Sequence, residues 1–74
     1  MLERIKNVND IKDREVHMMI SNDIDCALKT IQPKETKIIE YFDYVLVVEC
    51  SENGLSDYRI YKGFIENGED IENY

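Results

Sequence analysis

The sequence predicts a small single α+β domain in which helices from the N-terminal half pack on a short antiparallel sheet built around a C-terminal β-hairpin. Three observations carry this. Ile24, Leu28 and Ile31 recur at the i, i+4, i+7 spacing of one helix face. Tyr44 to Cys50 is an apolar run rich in Val, the composition of a strand buried on both sides. Asn53-Gly54 follows at once, and this dipeptide tolerates the positive φ angles of a tight hairpin turn. With 74 residues there is room for one core, so residues 1–74 are read as one domain.

Taken in order, Leu2, Ile5 and Val8 stand three apart and predict a short first helix. Val16, Met18 and Ile20 alternate with Glu15, His17 and Met19, which predicts a half-buried strand, although residues 10–20 also admit a helix capped by Asp10. Ser21 or Asn22 caps the helix of Ile24, Leu28 and Ile31, and Gln32-Pro33 ends it. Pro33 is also a helix-start signal. With Ile38, Ile39 and Phe42 as its apolar stripe, a third helix is expected over residues 33–43, against a competing strand from Thr36 onward. After the strand 44–50 and the turn 51–54, Tyr58 to Phe64 returns as the partner strand. Asn67-Gly68 interrupts the chain within an acidic tail, residues 66–74. The expected core is Ile24, Leu28, Ile31, Ile39, Phe42, Leu46, Val48 and Ile60.

The resulting order, α-β-α-α-β-β, resembles in topology alone that of a winged-helix domain. That resemblance implies a transcriptional regulator with residues 33–43 as recognition helix. Those residues carry Lys34 and Lys37 against Glu35, Glu40 and Asp43, and a net negative helix is poorly suited to phosphates.

Charge and aromatic residues divide the chain. The formal net charge is −7. Met1 to Lys37 holds seven basic and seven acidic residues, whereas Ile38 to Tyr74 holds only Arg59 and Lys62 against nine acids. All seven aromatic residues, Tyr41, Phe42, Tyr44, Tyr58, Tyr61, Phe64 and Tyr74, also follow Lys37. A negative field joined to tyrosines favours a basic protein surface as partner and disfavours direct nucleic-acid binding. The contact residues expected on this basis are Glu49, Glu52, Asp57, Tyr61, Glu66, Glu69, Asp70, Glu72 and Tyr74. Closure of the hairpin around Asn53-Gly54 would bring Glu49 beside Asp57.

Signals for catalysis and metals are sparse. His17 is the only histidine, Cys26 and Cys50 are isolated, and the three glycines form no phosphate loop. The acidic tail lacks the ligand spacing of a calcium loop. No enzymatic activity, no cofactor and no metal are therefore expected. No apolar run approaches the roughly 20 residues of a membrane-spanning helix, and charges at Glu3, Arg4 and Lys6 break up any signal-peptide core. The expected setting is the cytoplasm, with both cysteines reduced. Ten Ile and six Asn against one Ala suggest an AT-rich genome, such as that of a low-GC bacterium or its phage. The leading expectation is thus a small acidic protein-binding module, in its sharpest form a phage-encoded DNA-mimic inhibitor of a nucleic-acid-binding host enzyme. A structural homodimer or complex subunit joined through a sheet edge is the second, and a winged-helix regulator the third.

Overall fold

The computed structural model of the chain describes residues 2–63. It contains β1 (Glu3–Ile5), a 3-10 turn (Val8–Asp10), α1 (Arg14–Thr30), β2 (Thr36–Glu40), β3 (Tyr44–Cys50) and β4 (Ser56–Lys62). The strands form one open antiparallel sheet in the order β1-β4-β3-β2, and α1 packs on one of its faces. The α+β class and the C-terminal hairpin agree with expectation. The element order does not: one long helix between β1 and a three-stranded meander replaces α-β-α-α-β-β, and with it the winged-helix topology.

Helix α1 begins where Asp13 accepts hydrogen bonds from the backbone N–H of Glu15 (3.0 Å) and Val16 (3.3 Å), satisfying donors that a helix start leaves unpaired. It runs through both the predicted strand at 15–20 and the predicted cap at Ser21 and Asn22. The reason lies in the wider pattern. Val16, Ile20, Ile24, Ala27 and Ile31 form one continuous stripe toward the sheet, whereas Met18 and Met19 project outward. Six residues of alternation were a fragment of a helical period. The helix ends at Thr30, with the Ile31 N–H still bonded to the Ala27 carbonyl (2.8 Å) and Pro33 just beyond.

The expected first helix is instead β1, paired with β4 so that Glu3, Arg4 and Ile5 face Lys62, Tyr61 and Ile60. In an extended chain, positions three apart point to opposite faces. Ile5 accordingly packs toward α1 while Leu2 joins the cluster on the far side.

The helix expected over 33–43 is a turn followed by β2. Lys34 takes φ +69, its N–H donates to the Cys50 carbonyl (2.9 Å), and the Cys50 N–H donates to the Glu35 carbonyl (3.0 Å). These bonds start a ladder that places Thr36, Ile38 and Glu40 opposite Glu49, Val47 and Val45. Pairing with the edge of β3, together with the β-branched residues Thr36, Ile38 and Ile39, outweighs the local start signal of Pro33. Phe42 then falls in the β2–β3 turn, 89% exposed, and is no part of the core.

The remaining core expectations divide by depth. Ile24, Leu46, Val48 and Ile60 are buried, joined by Ile11, Ile20 and Ala27, and Leu28, Ile31 and Ile39 pack partly exposed against them. A second cluster, Leu2, Val45, Val47 and Tyr61, lies on the opposite face of the sheet. Strand β3 is therefore apolar on both sides because both sides are buried.

Candidate functional site

The β3–β4 hairpin pairs Glu49 with Asp57, Val47 with Arg59 and Val45 with Tyr61, all on the sheet face away from α1. Its turn is tightly held. The Ser51 carbonyl accepts from Gly54 N–H (3.0 Å), the Ser51 N–H donates to the Leu55 carbonyl (2.9 Å), and the Ser51 hydroxyl accepts from Leu55 N–H (3.2 Å). Gly54 has φ +83, a conformation that costs glycine little. This frame presents Leu55, 74% exposed, in a stretch of chain that also carries the exposed residues Glu52 and Asp57.

The juxtaposition of Glu49 and Asp57 is present, with an added element. Arg59, diagonal to Glu49 across the strand pair, bonds its carboxylate through Nη2. Repulsion between the two acids is thereby offset within the fold, and Glu49 is half-buried rather than freely presented. Asp57 accepts from the neighbouring Tyr58 N–H (2.8 Å) and stays exposed. Tyr61 is buried. The guanidinium groups of Arg4 and Arg59 lie 6.0 and 5.9 Å from its ring centroid, and Arg59 Nη1 donates to its hydroxyl at 3.1 Å. Of the nine contact residues expected from the sequence, the structure brings Glu49, Glu52, Asp57 and Tyr61 into one hairpin, with Glu52 and Asp57 exposed. Glu66, Glu69, Asp70, Glu72 and Tyr74 lie outside the described residues.

Sequence reasoning did not single out Leu55. An apolar residue directly after Asn-Gly, where turns are usually polar, was the available signal. Phe42 at the opposite end of the sheet is another exposed apolar side chain, followed by Asp43.

His17 is half-buried on α1 and lines a shallow depression with Met18, Met19, Ser21, Asn22 and Asp25. Cys26 is exposed on the helix and Cys50 is buried at the end of β3; neither is in a disulfide. Among the described residues, no group of three or more His, Cys, Asp or Glu side chains is arranged to hold a metal ion, and no helix is long and apolar enough to cross a membrane.

Among the described residues, two polar side-chain contacts join the helix to the sheet side: Lys37 Nζ on β2 donates to the Thr30 hydroxyl at 3.0 Å, and Tyr41, just after β2, reaches Asp23. The Tyr41 hydroxyl donates to the Asp23 carboxylate, and burial, followed by that hydrogen bond and the carboxylate's charge, holds the phenol well above its ordinary range. In the folded chain Tyr41 keeps its proton more tightly than in the unfolded chain. Its stabilising contribution is therefore complete below the ordinary tyrosine pKa of about 10 and is lost as pH rises beyond it. We expect the urea midpoint to fall above about pH 10, with the fall smaller in Tyr41→Phe, whose cost at neutral pH should be about 1 kcal/mol. Equal alkaline slopes for wild type and variant would show that the contact contributes nothing.

Comparison of the chain with protein-family models, with curated proteins and with solved structures returns no match.

Proposed function

We propose that the chain is an acidic protein-binding module that meets a partner through the tip of its β3–β4 hairpin. The observation that carries this is Leu55, three-quarters exposed on a turn held by Ser51, with the exposed acids Glu52 and Asp57 three and two residues away in the chain. An apolar anchor on a fixed backbone loses little entropy on binding, and the acids flanking it in the chain steer toward a basic surface. The partner's chemistry follows: a small apolar socket bordered by Lys or Arg. Glu49, paired with Arg59, has part of its charge neutralised within the hairpin and adds less to the field at the tip than Glu52 and Asp57.

The test is capture on the immobilised full-length chain at low and at high salt. Leu55→Ser should weaken retention of any specific partner about thirtyfold, the loss of a hot-spot contact of about 2 kcal/mol. Glu52→Gln with Asp57→Asn should weaken it less and flatten its salt dependence. Retention unchanged in both variants would remove this hairpin as the contact surface. Duplex DNA competing for the captured protein is the further result that nucleic-acid mimicry requires.

Strand β2 favours a second reading, the homodimer. It is an edge strand whose Ile38 is 42% exposed, and open edges invite pairing. Light scattering on the free chain separates the two.

A further inference from the structure

At the end of the sheet away from the hairpin tip, a cleft of about 450 Å³ lies between the helix-side face and the segment that joins β1 to α1. Helix α1 packs over Leu46, Val48 and Ile60. The next row on the same face, in which Lys62 pairs with Glu3 on one side and Tyr44 on the other, borders the cleft. Ile5 and Tyr44, half-buried against the core, give it apolar area. From the joining segment come Lys6, Asp10 and Lys12, all exposed. That segment has a fixed backbone. The Asn7 side chain accepts from Asn9 N–H (3.0 Å), the Asn7 carbonyl accepts from Asp10 N–H (2.9 Å), and Ile11, 3% exposed, is anchored in the core between Asp10 and Lys12. Three of the chain's six lysines thus border one cleft in a protein of net charge −7. Among the described residues, neither Glu3 nor Asp10 forms an ion pair with them.

We propose that this cleft binds a small phosphorylated molecule that carries a planar ring, of the mononucleotide class. Its volume lies within the roughly 300–1,000 Å³ of small-molecule sites. A phosphate group needs several cationic donors converging on it, and Lys6, Lys12 and Lys62 supply them from two elements held in register by the core. Tyr44 and Ile5 offer the apolar area against which a ring lies. Glu3 and Asp10 are acceptors for sugar hydroxyls or an exocyclic amine. The same two acids interrupt the lysines, so no continuous basic stripe is formed for a polynucleotide backbone, and the site suits a short anion. This inference does not rest on the partner-binding proposal, whose hairpin tip is at the other end of the sheet.

The experiment is a titration of the isotope-labelled full-length chain, followed by backbone amide shifts at constant ionic strength, with AMP, adenosine and inorganic phosphate as separate probes. AMP should give saturable shifts centred on Ile5, Lys6, Asp10, Lys12 and Tyr44. Adenosine and phosphate should each bind at least about tenfold more weakly, since each lacks half of the recognised group. Lys12→Gln with Lys62→Gln should weaken AMP binding by about tenfold or more, the loss of charge-assisted contacts. Lys29→Gln with Lys34→Gln removes the same charge outside the cleft and should leave the affinity unchanged. No saturation by AMP at about 10 mM, shifts centred elsewhere, phosphate bound as tightly as AMP, or equal losses in the two variants would each overturn the proposal.

Discussion

Leu46→Ala is expected to unfold the domain. Leu46 is fully buried at the centre of β3, between Ile39 of β2 and Ile60 of β4, on the face that meets Ile20 and Ile24 of α1. Removing its isobutyl group forfeits the transfer free energy and leaves a cavity that both layers line, a loss of about 2–5 kcal/mol. A single core in a chain of this size supplies only about 3–5 kcal/mol of net stability, so the substitution consumes most or all of it. Phe42→Ala is the matched control. Despite the larger side chain, its exposed ring should leave the urea midpoint nearly unchanged, because little area is withdrawn from water in the first place. A Leu46→Ala protein with wild-type melting, or a Phe42→Ala protein that fails to fold, would contradict this placement of the sheet.

Tyr61→Ala should cost about as much, roughly 3–5 kcal/mol, for a different reason. The ring is the largest fully buried side chain among the described residues and the centre of the far cluster. Its loss opens a void beside Val45 and deprives Arg4 and Arg59 of the ring over which they lie. Arg59 also loses the hydroxyl that accepts from its Nη1, so the pair with Glu49 becomes less well oriented. Tyr61→Phe keeps the ring and removes only that hydrogen bond, for which about 1 kcal/mol is expected. Urea unfolding of the two variants distinguishes packing from the hydroxyl contact. If Tyr61→Ala were as stable as Tyr61→Phe, the far cluster would not be a working core.

The nature of the candidate site explains why so little of it could be read in advance. Asn53-Gly54 announced the turn, and the turn's position set the register that aligns Glu49 with Asp57. Charge counting found the acids but could not show that Arg59, two residues along the same face, engages Glu49. Nor could it separate Tyr61, buried with two guanidinium groups about its ring, from an exposed tyrosine, since both are favourable for an amphipathic ring.

What the sequence determined by itself is what depends on neighbours in the chain. The Ile24, Leu28, Ile31 stripe, the apolar run of β3, the Asn-Gly turn and the return strand are local patterns; the strands and turn stand within two residues of their expected places, and the stripe lies in a helix that ends where expected but starts about two turns earlier. What only the tertiary structure decided is what depends on partners distant in sequence. Glu3 to Ile5 is a strand because β4 has a free edge beside it, and Thr36 to Glu40 is a strand because β3 does. Short segments have too little intrinsic preference to hold a helix or a strand alone. Pairing and burial select between them, and those terms come into being only when the chain has folded.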